Sequence, residues 1–387
     1  MRDVQVGLAI RCLSRYFVAQ AAKMNQEFVV GFDAKRAFSN ASGLGHYARN
    51  HIRMLARALP AERIVLFSPC LDRLDFRDEM RAAGIRIVSP SSPSGTWRTL
   101  GMGKEVKKQG VSVFHALSPE LPFDLDVPSI VTVHDAIAFD VPAYHSFWNA
   151  ILYRFKTRHA LRRASMVVSV SRYTAGRLQD QSALMGKTVE VLPPVFQPSL
   201  IPATAPIKSI QPYFLYVGNL EARKNIGMLL EAFLLIRKRV PHHLVLVGKD
   251  LGMRSSLMGF IKNMGLTGRV HLTGEISEGE KNGWIQHCDA LVYPSVMEGF
   301  GLPVLEGLMA QKPVITSSGT AMEEAGGDCV YYASPYRPEE WAETLIRILE
   351  NPMPLNAEEC QSHLQKFSPE RLIPAWLGLY SLVANGN

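Results

Sequence analysis

The sequence predicts an α/β protein built from two doubly wound parallel sheets. Short apolar runs rich in Val and Ile alternate with polar or helical stretches along most of the chain. The 387 residues exceed the size at which a single hydrophobic core stops growing. A proline-rich segment also interrupts the alternation near the middle of the chain. These observations predict two domains, each a sheet with helices on both faces, that face each other across a cleft.

Eleven apolar runs are expected to be buried strands. In the first half they lie at 28–32, 64–67, 85–88, 111–115, 130–133 and 166–170. The second half repeats the pattern at 213–217, 243–247, 270–272, 290–293 and 313–316. Amphipathic helices such as 227–240 and 339–350 separate these runs, as in sheets wound from strand–helix–strand units.

Six prolines lie within 192–212 and favour extended chain, so we expect the domain linker there. The boundaries that follow are an N-terminal extension at 1–23, a first domain at 24–200 and a second domain at 208–367. Residues 368–387 are expected to form a final helix that begins at Ser368 and Pro369 and crosses back to the first domain.

Hydropathy, cysteine content and charge indicate where the protein is located in the cell. No stretch reaches the roughly 18 apolar residues that would span a bilayer. The five cysteines are dispersed without zinc spacing, which is typical of reduced thiols in a cytoplasmic protein. Residues 1–205 carry a net charge of +10 and the rest −3. The basic half, with arginines concentrated around 154–163, fits either a solvated surface or contact with the inner face of an anionic membrane.

The run at 293–306, Y-P-S-V-M-E-G-F-G-L-P-V-L-E, is the most informative segment. A strand ends at Tyr293, and a helix is expected to begin near Leu302. Glycines before the helix let the backbone approach a ligand closely, and the free N–H groups of the helix suit an anion or hydroxyls. Glu298 lies before the helix and Glu306 within its first turns, so two carboxylates can address two parts of one elongated ligand. The alternative is a capping acid and a solvated acid.

A second segment, V-G-N-L-E-A-R-K-N at 217–225, follows a strand and precedes a helix. Gly218 comes directly after the strand and is assigned to the same ligand site. Cations are unfavourable at a helix N-terminus, so Arg223 and Lys224 point to an anionic partner. Such a pair can neutralise charge that develops on a departing diphosphate. A solvated Arg-Lys pair is the alternative.

These segments resemble glycosyltransferase family 4, whose signature is Glu, seven residues, Glu, with G-F-G-L-P between. The resemblance covers nearly the whole chain from about 29 to 383 and implies a GT-B fold, two Rossmann-like domains facing across a cleft. It implies that the first domain binds the acceptor and the second a nucleotide sugar. It further implies that Glu298 faces the donor sugar and Glu306 holds the ribose. The backbone N–H groups of Phe300, Gly301 and Leu302 would meet the sugar and diphosphate.

The basic pair departs from the family's usual pattern. An Arg often follows the glycine in the family, whereas this sequence has Asn219 there. This difference moves the expected diphosphate contact to Arg223 beside Lys224.

Histidines follow or end two strands of the first half. The run V-T-V-H-D brings His134 and Asp135 to the carboxyl end of a strand. A histidine there can hydrogen-bond a sugar hydroxyl, and Asp135 can set its tautomer or bind the acceptor. The family has a matching histidine against the donor sugar. His115, in F-H-A-L-S-P-E, is a second candidate on the acceptor side, and a structural role is the alternative for both histidines.

The run S-G-L-G-H-Y at 42–47 begins a basic helix. In the family a comparable glycine turn touches the donor phosphate, which gives Gly43 and Gly45 a donor-binding role. The run also matches the G-x-G-x-x-A pattern of dinucleotide-binding enzymes. That interpretation is weaker because the turn lies about ten residues beyond its strand, and the second strand lacks the acid that would hold a ribose.

Asp124 and Asp126 form a D-x-D that resembles the metal site of the other large glycosyltransferase fold. The pair lies between two prolines in an expected loop, so no metal and no other cofactor are predicted. Arg223 and Lys224 would supply the positive charge that a metal supplies elsewhere.

The resemblance implies transfer of a hexose, with retention, to a glycan or lipid-linked acceptor in cell-surface polysaccharide biosynthesis. The R-K-N run, the opening G-F-D-A-K-R and V-T-V-H-D resemble mannosyltransferase-like members, which favours GDP-mannose as the donor. No nucleic-acid partner is expected. Two alternatives stay open: a sugar-nucleotide epimerase or inverting transferase on the same fold, and a non-catalytic sugar-nucleotide-binding subunit.

Overall fold

A computed structural model describes residues 28–40, 43–91, 96–136, 147–179, 182–197, 201–204, 210–351 and 356–386. The expected extension at 1–23 and parts of the proline-rich segment lie outside the described residues. The chain divides into two compact units. Unit 1 extends to Val195 and takes up the chain again from Phe367, whereas unit 2 is Phe196–Lys366.

Unit 1 contains a seven-stranded, all-parallel sheet with the strand order β3-β2-β1-β4-β5-β6-β7. The strands are β1 (Val30–Asp33), β2 (Ile64–Phe67), β3 (Arg86–Val88), β4 (Val113–Ala116), β5 (Ser129–Val133), β6 (Met166–Ser169) and β7 (Val189–Val191). The central strands β1, β2, β4 and β5 are buried along their whole length. The strand order reverses between β1 and β4, and open α/β sheets bind ligands at such a switch point.

Helices connect these strands. They are α1 (Lys35–Ser39), α2 (Gly43–Ala56), α3 (Leu74–Ala82), α4 (Trp97–Leu100), α5 (Met102–Lys108), α6 (Phe147–Arg163) and α7 (Arg172–Gln179). The buried side of α6 contributes Ala160 and Leu161 to one apolar core with Val131 and Val133 of β5, and Ala164, directly after the helix, joins the same core. Burial of this shared apolar surface fixes α6 against the sheet.

Unit 2 repeats the architecture with six parallel strands in the order β10-β9-β8-β11-β12-β13. The strands are β8 (Tyr213–Val217), β9 (His243–Val247), β10 (Val270–Gly274), β11 (Ala290–Tyr293), β12 (Val314–Ser317) and β13 (Tyr331–Ala333). The helices are α8 (Ile226–Ile236), α9 (Arg254–Asn263), α10 (Glu278–His287), α11 (Leu302–Met309), α12 (Met322–Gly326), α13 (Pro338–Glu350) and α14 (Ala357–Gln365). Here the switch point lies between β8 and β11.

The last helix, α15 (Pro369–Ala384), is part of unit 1 and contacts α2 and β4. It begins directly after Ser368, and Pro369 occupies its first turn, where the fixed φ of proline favours helix. Trp376 and Tyr380 are buried in unit 1, 1% and 0% exposed. Burial of these two aromatic rings anchors the end of the chain to the first sheet.

The predicted fold class is confirmed, because both halves form doubly wound parallel sheets. The sequence analysis missed β7 and β13, which are three-residue strands at sheet edges. Among the helices that the structure describes, none combines the length and the apolar character that crossing a bilayer requires.

Candidate active site

Two loops meet at the switch point of unit 2. One follows β8 and contains a short 3₁₀ turn, Ala222–Lys224, and the other follows β11. The Val296 N–H donates a hydrogen bond of 2.9 Å to the carbonyl oxygen of Arg223, and the Ser295 hydroxyl oxygen lies 3.1 Å from the same oxygen. The two informative sequence segments are therefore parts of one local structure.

Glu298 accepts hydrogen bonds from both predicted diphosphate-binding cations. Arg223 Nη1 lies 2.8 Å from Glu298 Oε1, and Lys224 Nζ contacts the same oxygen. The Ser295 hydroxyl also donates to this oxygen, at 2.7 Å. Glu221 holds the other side of the Arg223 guanidinium at 2.6 Å. The ionic cluster of Glu221, Arg223, Lys224 and Glu298 is therefore electrically balanced.

The cluster is largely withdrawn from solvent, with the Lys224 and Glu298 side chains 8% and 12% exposed. Burial alone would raise the pKa of Glu298, but the charges of Lys224 and Arg223 outweigh it and lower this pKa to about 2. Burial lowers the pKa of Lys224, and the charge of Glu298 opposes that shift. Lys224 Nζ also donates to the Tyr293 hydroxyl at 2.6 Å. Glu298 is therefore ionised at neutral pH.

The N-terminus of α11 lies directly after Glu298, Gly299 and Phe300 in the chain. Gly301 precedes the helix with φ 111° and ψ 55°, a conformation that residues with a Cβ rarely adopt. A Cβ on Gly301 would also lie 2.9 Å from Met322 Cγ. The first turn of α11 contains no acidic residue. Its positive end is therefore suited to an anion.

Two further predicted donor-binding residues have defined partners in unit 2. The Gly218 N–H, directly after β8, donates to the Val247 carbonyl oxygen at 2.9 Å. Glu306, within α11, accepts a hydrogen bond of 2.8 Å from Lys281 of α10. Burial alone would lower the pKa of Lys281, but Glu306 and Glu278 outweigh it and raise this pKa. Glu306 is therefore held in place, and Lys281 is a partner that the sequence analysis missed.

His134 follows β5 in unit 1. Its Nε2 lies 2.8 Å from the Leu117 carbonyl oxygen, which can only accept a hydrogen bond, so the proton is on Nε2. Burial lowers the pKa of His134 to about 4, and the neutral ring keeps a lone pair on Nδ1. Tyr47 packs edge-on against the ring at 4.4 Å between centroids. His134 can therefore accept a hydrogen bond from a hydroxyl, and Asp135 beside it is half-buried.

His115 lies in the interior of unit 1 and is 0% exposed. Its Nδ1 is 2.7 Å from the Tyr380 hydroxyl of α15, and its Nε2 is 2.8 Å from the Thr132 hydroxyl. The same Tyr380 hydroxyl lies 2.8 Å from His51 Nε2. Both ring nitrogens are therefore used by protein hydroxyls. This placement corrects the expected acceptor-side role of His115: the residue joins α15 to β4.

The two glycines at the start of α2 differ in how closely other backbone atoms approach them. Gly43 begins α2, and a Cβ there would meet nothing within 4 Å. A Cβ on Gly45 would lie 1.8 Å from the Asn40 carbonyl oxygen, to which Arg49 Nη1 also donates at 2.8 Å. Gly45 is therefore required by packing within unit 1. Its expected contact with a donor phosphate stays a prediction.

The D-x-D pair has protein partners. The Asp124 carboxylate accepts hydrogen bonds from the backbone N–H groups of Gly103 and Lys104 at 3.2 and 3.3 Å, at the start of α5. Asp126 is 79% exposed and lies 3.4 Å from Lys107. Asp124 thus caps a helix. Within the described ranges, no three His, Cys, Asp or Glu side chains are grouped as a metal site.

A second ionic cluster lies at the switch point of unit 1 and was missed by the sequence analysis. Arg98 of α4 bridges Asp33, the last residue of β1, at 2.6 Å and Glu120, which follows β4, at 2.7 Å. Lys156 of α6 lies 3.4 Å from Glu120. Burial alone would raise the pKa of Glu120, but Arg98 and Lys156 help lower it to about 2.

A shallow pocket that is open to solvent lies beside this cluster. It is lined by Arg98, Thr99, Glu120, Leu121, Phe123 and Lys156. The runs G-F-D and S-P-E place acids after predicted strands and could have indicated this site. Nothing near Arg98 in the sequence identifies it as their partner.

Each half of the chain matches a known family model. Residues 48–199 match the model described as Glycosyltransferase Family 4, and residues 200–366 match the model described as Glycosyl transferases group 1. Together with the two doubly wound sheets, these matches define the class: the chain is a glycosyltransferase with the GT-B fold.

Two relatives of the chain are named as mannosyltransferases. The chain is 27% identical to O-antigen chain mannosyltransferase B of Escherichia coli over 330 residues, 76% of this chain and 83% of that protein. It is 26% identical to O-antigen chain mannosyltransferase RfbU of Salmonella typhimurium, over 57% of this chain and 61% of that protein.

Solved structures share the fold. HepE of Anabaena, in complex with UDP and glucose, superposes with a TM-score of 0.70 at 15% identity, over 92% of this chain and 100% of that one. Sucrose-phosphate synthase of Thermosynechococcus elongatus gives a TM-score of 0.72 at 18% identity, over 93% of this chain and 100% of that one.

Proposed function

We propose that the protein transfers a hexose, with mannose favoured, from a nucleotide diphosphate sugar to a glycan or lipid-linked acceptor in cell-surface polysaccharide biosynthesis. The observation that carries the proposal is the meeting of Arg223, Lys224 and Glu298 at the switch point of unit 2, beside the start of α11. Support for mannose comes from two relatives named as O-antigen chain mannosyltransferases, which favours GDP-mannose as the donor. Support for a nucleotide sugar comes from the neighbour solved with UDP-glucose.

The donor diphosphate would bind between the cations and the α11 N-terminus. The incoming charge would be met by Arg223, Lys224 and the backbone N–H groups of Gly301 and Leu302. Glu298 holds both cations in position and would face the sugar. Glu306, itself oriented by Lys281, would accept hydrogen bonds from the ribose hydroxyls.

The reaction would break the bond between the anomeric carbon and the diphosphate oxygen. Arg223 and Lys224 would stabilise the charge that develops on the leaving group, in the role that a metal ion has elsewhere. The acceptor hydroxyl would attack from the face on which the diphosphate departs, and a phosphate oxygen would take its proton, so configuration is retained. Nδ1 of His134 would accept a hydrogen bond from the donor sugar and orient it.

The acceptor would bind to unit 1. Asp135 follows β5, and the Arg98–Glu120 pocket lies at the switch point of the same sheet. Carboxylates and guanidinium groups are suited to the hydroxyl groups of a glycan. A lipid-linked acceptor would bring the enzyme to the inner face of an anionic membrane.

The test is a transfer assay with the purified protein, a panel of nucleotide sugars and lipid-linked or free glycan acceptors. We expect release of GDP from GDP-mannose that depends on acceptor, and a product whose anomeric configuration matches the donor by NMR. Glu298→Ala should abolish turnover, whereas Glu350→Ala, at a carboxylate 64% exposed, should not change it.

Other outcomes would identify the alternatives. Inverted product would indicate an inverting transferase. A changed sugar that is still attached to its nucleotide would indicate an epimerase. Donor binding without turnover would indicate a non-catalytic sugar-nucleotide-binding subunit. Turnover unaffected by Glu298→Ala would indicate that this site does not perform the proposed transfer.

A further inference from the structure

Helix α6 carries apolar side chains on two opposite sides. Ala160 and Leu161 face the interior and are 0% exposed. Ile151 and Phe155 point away from that core, 44% and 59% exposed, although they are large and apolar. Because the inward side already packs against the sheet, the stability of unit 1 does not explain apolar residues on the outer side.

Neighbouring residues extend the outer side of α6 into a continuous patch. Leu152 of α6 is 52% exposed, and the ring of Phe123 lies 6.1 Å from that of Phe155. The Phe123 N–H donates to the Thr99 carbonyl oxygen at 2.9 Å, which places Leu100, 60% exposed, beside it. We call Leu100, Phe123, Ile151, Leu152 and Phe155 the α6 surface. A contiguous exposed apolar patch of this kind marks an interaction site.

Positive charge continues the α6 surface along the helix. Arg158 and Arg162 follow Ile151 and Phe155 at helical spacing, so they lie on the same side, and both are exposed. In the part of the chain that the structure describes, no carboxylate forms an ion pair with either guanidinium. An apolar surface continued by unneutralised arginines matches the boundary between acyl chains and anionic headgroups.

We propose that the α6 surface docks unit 1 on an anionic lipid membrane. Ile151, Leu152 and Phe155 would enter the boundary between headgroups and acyl chains, and Arg158 and Arg162 would bind lipid phosphates. This inference goes beyond sugar transfer and does not depend on it. A protein partner would be expected to neutralise the arginines with acidic residues, and that partner becomes one outcome of the test.

Docking in this orientation would also place the unit 1 pocket at the membrane. Phe123 and Lys156 line the pocket and lie at the edge of the α6 surface. A lipid-linked substrate could then present its headgroup to Arg98 and Glu120 while its tail stays in the bilayer.

The test is co-flotation of the full chain with vesicles. We expect binding to vesicles of equal parts phosphatidylglycerol and phosphatidylcholine and little binding to phosphatidylcholine alone. Arg158→Gln with Arg162→Gln should lower the partition coefficient by about 30-fold, since each basic residue near the surface contributes about one factor of five. Leu152→Ser with Phe155→Ser should lower it by at least about tenfold. High salt should weaken binding of the wild-type chain.

The matched control is Leu251→Ser with Met258→Ser in unit 2, at apolar residues that are 51% and 48% exposed. It should bind as the wild type does. Because all these residues are exposed, each variant should keep the wild-type thermal midpoint.

Absence of wild-type binding to the anionic vesicles would overturn the proposal and would favour a protein partner at the α6 surface. Equal binding to neutral vesicles, or full binding by both α6 variants, would overturn it as well. Equal binding to neutral and anionic vesicles would favour a purely apolar partner. Vesicle binding by a chain that transfers no sugar would uphold this proposal and refute the proposed function, so the two failures can be told apart.

Discussion

Glu298→Gln leaves Lys224 buried beside Arg223 without the carboxylate that both contact. The Lys224 and Glu298 side chains are 8% and 12% exposed, so little water is present to replace the lost charge. Removing one partner of a buried ion pair costs about 3–5 kcal/mol, because the other charge is left uncompensated. In a domain of this size each kcal/mol shifts the thermal midpoint by about 2–4 °C, so unit 2 should unfold roughly 6–20 °C lower.

The assay is urea and thermal unfolding of the variant, of Lys224→Met and of the double variant. The double variant leaves no lysine ammonium buried without its carboxylate partner. Its loss in free energy of unfolding should therefore be smaller than the sum of the two single losses by about 1–3 kcal/mol. Glu350→Gln is the control, since its carboxylate is 64% exposed and 3.8 Å from Arg239. It should change the free energy of unfolding by less than about 0.5 kcal/mol. Additive single losses, or a Glu298→Gln variant as stable as the wild type, would refute the ionic cluster.

Three further predictions concern unit 1. Gly45→Ala should destabilise it by about 1–3 kcal/mol in urea unfolding, because its Cβ would lie 1.8 Å from a carbonyl oxygen, whereas Gly43→Ala has nothing within 4 Å and should cost nothing; equal effects would contradict this. Tyr380→Phe removes the hydroxyl between His51 and His115 and should cost about 1–3 kcal/mol, measured the same way; an unchanged free energy would show that this network contributes nothing. Burial lowers the pKa of His51 from 6.5 to about 3, and that of His115 well below 6.5, so the unfolded chain takes up protons first as the pH falls. Stability from these groups is complete above pH 6.5 and should fall below it, by up to about 1.4 kcal/mol per pH unit for each histidine, and a flat profile between pH 6.5 and 5 would contradict this.

The fold could be predicted from the sequence because each inner strand is buried on both faces. Runs such as Ile64–Phe67 and Tyr213–Val217 are therefore apolar throughout and match the structure residue for residue. The edge strands Val189–Val191 and Tyr331–Ala333 were missed because three residues are too few to show a strand periodicity. The equally short edge strand Arg86–Val88 was found because Ile85 extends it to a longer apolar run.

The candidate active site could be predicted only in part from the sequence. Arg223, Lys224 and Glu298 were predicted as one site from two segments about 75 residues apart, and the structure brings their side chains together. Their role towards a donor stays a prediction. Lys281, the partner of Glu306, could not be predicted, because no local pattern tells which helix packs beside α11.

His115 was predicted as an acceptor-side residue but lies buried in unit 1. Its place near the end of a strand suggested access to a ligand. The helix that covers it, α15, comes more than 250 residues later in the chain, and Tyr380 of that helix takes one of its nitrogens. A partner so distant in sequence leaves no signal near the histidine itself.

The most direct test of the central claim is the rise in thermal midpoint that GDP causes in the wild type and in Arg223→Met. A ligand at 100 times its dissociation constant adds about 2.7 kcal/mol to the free energy of unfolding, a shift that is easily measured. We expect GDP to raise the midpoint of the wild type, guanosine to leave it unchanged, and the variant to lose most of the rise. An equal rise in the variant, or no response of the wild type to any nucleoside diphosphate, would contradict a diphosphate site at Arg223 and Lys224.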